Sequence, residues 1–321
     1  MRRSAVFSAT ALAGLSLLLS ACSTTAGGQQ AETGTIEVVT STNVYGDIVR
    51  EIGGDKVNVK ALITKASQDP HSYEATTQDK LAVSKARLVV ENGGGYDDFL
   101  HKLAEDSNVE HDNIISAVEV SGLAPEEEPA AASTAEATEP DDHSDHGGLN
   151  EHVWYNLDAM TKLADAVEAR LTALEPSSAT AFQANADSFK EEIAGLNSQV
   201  AGLAATAAQA PVAVTEPVPL YLLEAAGLVN KTPADYTAAV EEDADVPPAV
   251  LKEATELAGS KDIKFLAYNT QTESPQTQAL RKAAEASGVP VLDFSETLPE
   301  GKTYVEWMSG NVDSIKQALG N

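Results

Sequence analysis

The sequence predicts an α/β protein with two lobes of parallel β-sheet joined by one long rigid helix. Short runs of β-branched residues alternate with helical patterns in both halves, which is the arrangement of parallel strands with crossover helices. Between the halves lies one helical pattern that no proline interrupts. A length of 321 residues allows two domains of ordinary size, and 43% hydrophobic residues with few aromatics are typical of a globular α/β chain.

The two predicted lobes, residues 35–175 and 211–321, share the same alternation of elements. Strands are predicted at 36–41, 57–63, 88–91, 114–117, 212–215, 263–268 and 289–294. Helices are predicted at 44–52, 79–85, 96–105, 157–174, 218–226, 248–258, 275–287 and 303–319.

The linking helix is predicted over residues 177–209, between Pro176 and Pro211. Apolar residues recur there at every seventh position, as one buried stripe requires: Phe182, Phe189, Leu196 and Leu203. At about 1.5 Å per residue the helix would be roughly 50 Å long, so we interpret it as a strut between the lobes. The alternative is a coiled-coil oligomerisation helix, which is disfavoured because regular opposite charges at the flanking heptad positions are missing.

Charge excludes one class of function. The chain has 21 Lys and Arg against 49 Asp and Glu, a net charge of −28. Such a surface repels nucleic acid and anionic lipid headgroups, and it attracts cations. Nucleic acid is therefore not an expected partner.

The N-terminus has the pattern of an export signal over residues 1–22. Arg2 and Arg3 precede a short apolar run, and Leu19-Ser20-Ala21-Cys22 resembles a bacterial lipobox. Cys22 is the one cysteine of the chain, which excludes disulfides and thiolate metal sites. Diacylation of Cys22 would anchor the protein stably to the outer face of the cytoplasmic membrane, with residues 23–34 as a tether.

Residues 123–148 differ in composition from the rest of the first lobe. They are rich in Glu, Asp, Ala and Pro, and they contain His143 and His146. The segment has too few large apolar residues for their burial to offset the entropy lost on ordering, and we therefore predict an acidic loop. Two interpretations remain open: a loop that captures metal through its histidines, or a solvated linker.

Two short motifs carry a resemblance to a known family. Residues 69–74, Asp-Pro-His-Ser-Tyr-Glu, and residues 151–154, Glu-His-Val-Trp, resemble the paired signatures of the metal-binding substrate-binding proteins of ABC importers, the ZnuA- and TroA-like cluster A-I family. Residues 51–57, 87–93 and 304–311 resemble further segments of that family, in the same order along the chain. The resemblance covers nearly the whole mature chain.

The resemblance implies four metal ligands, two from each half. His71 and His152 match the histidines of the first half. Glu216, in Val-Thr-Glu-Pro, matches a position where members carry His or Glu. Glu296 matches the fourth position, where the family commonly has Asp, and Asp293 is the nearby competitor.

Two imidazoles and two carboxylates would balance the charge of one divalent cation. This ligand set is harder than three histidines and favours manganese, whereas the Irving–Williams order predicts tighter binding of zinc, so the choice between Mn²⁺ and Zn²⁺ stays open. Because imidazoles must be neutral to coordinate, acidification through the histidine range is expected to release the ion.

The resemblance therefore implies a monomeric surface lipoprotein, not an enzyme, that captures Mn²⁺ or Zn²⁺ between two lobes. It would deliver the ion to an ABC permease driven by a separate ATPase, which agrees with the absence of a Walker motif from this sequence. One alternative is an extracellular metallohydrolase with a His/Glu metal site, although the sequence contains no HExxH motif. Another is a surface adhesin.

Overall fold

Two four-stranded parallel sheets form the centre of the structure, a computed structural model whose described residues are 34–124 and 149–320. The predicted signal at 1–22 with Cys22, nearly all of the tether at 23–34, and His143 and His146 of the acidic loop lie outside the described residues. In the described part of the chain, no helix is long and apolar enough to span a membrane.

The first sheet has the strand order β2-β1-β3-β4. Its strands are β1 (Ile36–Thr42), β2 (Val57–Ile63), β3 (Leu88–Glu91) and β4 (Ile114–Ser116). Its helices are α1 (Asn43–Gly53), α2 (Thr77–Val83), α3 (Asp98–Asp106) and α4 (Ala117–Ser121). Because β2 and β3 lie on opposite sides of β1, the winding reverses between β1 and β3, and a crevice opens at their carboxyl ends.

Two long helices follow, α5 (Leu157–Leu174) and α6 (Ala179–Ala207). Pro176 forms a 3-10 turn before α6, and Ala208 and Gln209 adopt left-handed backbone conformations after it. The buried face of α6 follows the predicted spacing: Phe182, Ala186, Phe189, Ile193, Leu196, Val200, Leu203 and Ala207. At about 1.5 Å per residue this helix is about 43 Å long, shorter than the predicted 177–209 because residues 176–178 form the 3-10 turn and residues 208 and 209 are left-handed.

The second sheet repeats the topology of the first, with the order β6-β5-β7-β8. Its strands are β5 (Pro211–Val214), β6 (Val229–Asn230), β7 (Leu266–Asn269) and β8 (Val291–Phe294). Its helices are α7 (Leu220–Ala225), α8 (Ala234–Glu241), α9 (Pro248–Ala258), α10 (Pro275–Ser287) and α11 (Tyr304–Ala318). The predicted fold class is thus confirmed.

The stripe of α6 is covered by helices of the same chain. It packs against α1 and α5 from the first half and against α7 and α11 from the second. One hydrophobic cluster consequently runs from β1 through α6 to α11, and residues 35–321 form one compact unit. The apolar face that a coiled-coil partner would need is therefore already buried. The predicted lobe boundaries at 175 and 211 stay a prediction.

We expect Ile193→Ala to lower the free energy of unfolding by about 2–5 kcal/mol, because it leaves a cavity in the α6 stripe, where Ile193 is fully buried. Urea unfolding of the chelator-treated protein measures this. Gln199→Ala, on the exposed face of the same helix, is the matched control and should change the value by less than about 0.5 kcal/mol. Equal effects of the two substitutions would contradict the packing described for α6.

Candidate metal centre

The predicted ligands lie on segments that meet between the two sheets. His71 is in the loop after β2, Glu216 follows β5 and Glu296 follows β8, so three of them come from carboxyl ends of parallel strands. His152 lies just before a 3-10 turn that leads into α5. Direct hydrogen bonds join the halves here, including those from Tyr155 Oη to the Ser295 carbonyl (2.8 Å) and between Asn43 and the backbone of Leu298.

Three of the four predicted ligands form a compact group. One possible ligand atom from each of His71, His152 and Glu296 lies within 4.8 Å of those of the other two. Small side-chain movements would bring all three to the bond lengths of about 2.0–2.2 Å that a divalent transition metal requires. His152 and Glu296 are buried, whereas the His71 side chain is 30% exposed.

Asn150 orients the His152 ring. The Nδ1–H group of His152 donates to Asn150 Oδ1 at 2.7 Å, which leaves Nε2 free to accept a metal ion. Asn150 is itself held by the second half, because its Nδ2 donates to the Pro217 carbonyl (3.0 Å) and its carbonyl accepts from Tyr221 Oη (2.8 Å). Burial, and to a smaller degree His71, lower the pKa of His152 well below its ordinary value, so the ring stays neutral.

Tyr96 connects the histidines to Glu296. Its ring packs edge-on against His71 with centroids 4.9 Å apart and lies 5.9 Å from His152. Its hydroxyl donates to Glu296 Oε2 at 3.0 Å. The loop before it needs glycine, since Gly93 has φ +76° and an added Cβ would lie 2.2 Å from Ser116 Oγ. The glycine-rich loop that contains Gly93 therefore contributes to the site through Tyr96.

Glu216 and Glu296 share one amide donor. Asn269 Nδ2 lies 2.6 Å from Glu216 Oε2 and 2.8 Å from Glu296 Oε1. The Thr272 hydroxyl also donates to Glu216. Burial, with a smaller contribution from neighbouring carboxylates, outweighs the lowering effect of these hydrogen bonds and raises the pKa of each carboxyl group to about 7. Glu216 thus lies beside the compact group, one amide away from Glu296, but not within it.

The other acidic residues considered for this site differ in whether their side chains reach it. Asp293, the competitor for the fourth position, has a side chain 54% exposed and paired with Arg281 at 2.9 Å, so it does not reach this site. Glu151 and Glu241, which the sequence analysis did not select, form a second compact group with His152. The missed residues have recognisable positions: Asn150 and Glu151 directly precede His152, and Asn269 ends β7 beside β5. No local signal marks Glu241.

A cavity of about 410 Å³ leads to the site. Its walls include His71, His152 and Glu216, and its acidic wall residues include Glu241 and Asp243. A larger cavity of about 950 Å³ is lined by Trp307 and other residues, and none of the four predicted ligands is among them. Ligand chemistry, rather than cavity size, therefore identifies the candidate site.

We expect Glu296→Gln to stabilise the metal-free protein at pH 8. Because the folded-state pKa of Glu296 is about 7 against an ordinary 4.5, ionisation destabilises the fold as the pH rises between these values. The gain should approach about 3 kcal/mol at pH 8 and be mostly lost at pH 5. Urea unfolding at both pH values measures it, with the exposed Glu300→Gln as control. A loss of stability at pH 8 would contradict a strained carboxylate.

Comparisons with known proteins agree with this architecture. A family model described as ZnuA, zinc-uptake complex component A, periplasmic, matches residues 38–318. The manganese ABC transporter substrate-binding lipoprotein ScaA of Streptococcus gordonii is 20% identical over 94% of both chains. The zinc-binding lipoprotein AdcA of Streptococcus pneumoniae is 25% identical over 94% of this chain and 58% of its own length.

Among solved structures, the periplasmic zinc-binding protein TroA of Treponema pallidum has the same fold. It superposes with a TM-score of 0.67 at 22% identity and covers 89% of this chain and 99% of its own. The family match includes both sheets, α6 and all four predicted ligand positions. The chain therefore belongs to the ZnuA family of zinc-uptake component A proteins.

Proposed function

We propose that this protein is an extracytoplasmic solute-binding lipoprotein that captures one divalent transition metal ion between its two halves. It would then deliver the ion to an ABC permease that a separate ATPase drives. The observation that carries the proposal is the convergence of neutral imidazole and buried carboxylate from both halves. Among the described residues, neither Glu216 nor Glu296 has a lysine or arginine partner, so a bound cation would supply the missing positive charge.

His71, His152, Glu216 and Glu296 are the proposed ligands. Two neutral imidazoles and two carboxylates give a set whose charge a divalent ion cancels. The hydrogen bonds that Asn269 and Tyr96 donate do not block coordination, because each carboxylate oxygen has a second lone pair. The same donors hold the carboxylates in place before the ion arrives.

Two carboxylates in the set favour Mn²⁺ as the cargo, while intrinsic affinity favours Zn²⁺. Relatives are named for both metals, namely ScaA for manganese and AdcA for zinc. The metal that is transported therefore depends on availability as well as on ligand type. Direct competition between the two ions ranks them.

Lipid anchoring at Cys22 is part of the proposal. The relatives ScaA and AdcA are named lipoproteins, and the lipobox pattern of residues 19–22 agrees with that assignment. The protein would act as a monomer on the outer face of the cytoplasmic membrane. In this arrangement residues 23–34 would form the tether, and metal capture by the acidic segment 123–148 through His143 and His146 stays a prediction.

A catalytic role is disfavoured. The family is one of carriers and not of enzymes, and a hydrolytic metal site would need an open coordination position with a general base beside it. Four protein ligands leave little room for a substrate. The adhesin alternative gains no support from the residues that converge at this site.

We expect the soluble form beginning at Ser23, stripped with chelator, to bind one ion tightly per chain when Mn²⁺ and Zn²⁺ are titrated in competition. Glu216→Ala should weaken binding by at least about tenfold, roughly 1.4 kcal/mol, because it removes a charged ligand. Glu224→Ala, an exposed acidic residue on α7, is the matched control. Unchanged affinity in Glu216→Ala would remove that residue from the ligand set, and no stoichiometric binding would overturn the proposed function.

Affinity should fall as the pH is lowered from 8 to 6. In the metal-free protein the carboxyl groups of Glu216 and Glu296 have pKa values of about 7, so below that pH the ion must displace protons from them. Each protonated group can reduce affinity by up to about tenfold per pH unit. The pKa of His152 is lowered, so carboxylates and not this imidazole set the midpoint. Mn²⁺ affinity that is constant over this range would contradict the assignment.

A further inference from the structure

Glu151 is a buried carboxylate whose surroundings lack a counter-charge. Its side chain is 5% exposed, and within the described residues the nearest polar partner of its carboxylate is His71 Nε2, at 3.8 Å from Oε1. That distance is too long for a hydrogen bond. Burying an ionised carboxylate without a partner costs free energy, and an approaching cation would offset that cost.

Glu241 presents a second carboxylate to the same place. It ends α8, and its Oε1 atom is buried without a hydrogen-bond partner among the described residues. This oxygen lies 3.8 Å from His152 Nδ1. One possible ligand atom from each of Glu151, His152 and Glu241 lies within 4.8 Å of those of the other two. The three residues thus have the spacing of a metal site.

Hydrogen bonding distinguishes these carboxylates from the other pair. Glu216 and Glu296 accept from Asn269, and Glu296 accepts also from Tyr96. In the part of the chain that the structure describes, Glu151 and Glu241 accept no side-chain hydrogen bond. Because one divalent ion balances only two carboxylates, an ion at the predicted ligands leaves this second pair without compensation.

We propose that Glu151, His152 and Glu241 form a second position for the divalent cation, adjacent to the His71–His152–Glu296 group. Glu241 lines the same cavity as His71 and Glu216, together with the exposed residues Glu242 and Asp243. His152 belongs to both groups, and its Nδ1 lies 3.8 Å from Glu241 Oε1, so an ion bound through that atom would displace the proton that Nδ1 donates to Asn150. The inference rests on the proposed function and adds a second site to it.

Two carboxylates and one imidazole indicate which ions this second position would bind. They suit Mn²⁺ or Zn²⁺, and water would complete the coordination because only three protein groups converge. Such a position should bind more weakly than the four-ligand set.

The test uses His71→Ala, which removes one of the four proposed ligands and none of the three residues of the second position. All variants carry His143→Ala and His146→Ala, so that the acidic segment cannot supply a competing site. Zn²⁺ is titrated against a chromophoric chelator. We expect His71→Ala to retain one ion per chain with affinity at least about tenfold below that of the parent. Adding Glu151→Gln and Glu241→Gln should reduce the residual affinity by at least about another tenfold.

The matched control adds Glu242→Gln and Asp243→Asn instead, which remove the same formal charge from exposed positions of the same cavity. It should change the residual affinity by less than about threefold, since exposed charges are screened. Equal losses from the two pairs, or no residual binding in His71→Ala, would overturn the second position. Loss of tight binding in the parent would instead overturn the proposed function.

A diffraction experiment gives an independent readout. Crystals of the His71→Ala variant soaked in Zn²⁺ should show an anomalous peak among Glu151, His152 and Glu241. A peak confined to the neighbourhood of Glu216 and Glu296 would contradict the proposal. Urea unfolding midpoints show whether each variant is folded. If the variant with both Glu151→Gln and Glu241→Gln does not fold, the variant with Glu241→Gln alone is used in its place.

Discussion

The burial of carboxylates that have no lysine or arginine partner among the described residues is the constraint on which the rest of this structure depends. Glu216 and Glu296 lie on opposite sides of one amide, and burial raises the pKa of both to about 7. A protein that keeps such groups together without a cation gives up stability at neutral pH. The arrangement is understandable if binding of the ion returns that free energy as affinity.

Packing and neutral hydrogen-bond donors hold these buried carboxylates in place. α6 packs against helices of both halves, and one hydrophobic cluster continues through it. Asn150 ties the His152 segment to the backbone beside Glu216, and Tyr96 from the first half donates to Glu296 in the second. Ligands are thus held by packed apolar surface and by neutral donors rather than by lysine or arginine. Neutral donors leave the negative charge available to the ion.

Sequence patterns predicted most of this fold because parallel strands and the α6 stripe follow simple periodicities. β3, α5, α9 and α10 have the predicted bounds. β6, two residues long, and α8 were missed because they are too short for a periodicity to appear. The missed α8 carries Glu241, which is why the sequence did not associate this residue with His152. Glu296 could be separated from Asp293 only by tertiary structure, in which Glu296 is buried beside His71 and His152 and Asp293 is exposed and paired with Arg281.

The same packing favours movement of one proposed ligand, His71, over the other three. α6 is continuous and joined to both halves, so a large hinge motion about it would disrupt the apolar cluster. His152, Glu216 and Glu296 are buried on segments bound to that cluster, whereas His71 lies in a loop with its side chain 30% exposed. Within that loop Asp69 accepts from Ser72 and from the His71 backbone, so residues 69–72 form a local unit. Movement of this unit would withdraw one neutral ligand and leave all the charged ones in place. In the proposed function, loading and release of the ion would therefore proceed through this loop while the two sheets stay nearly fixed.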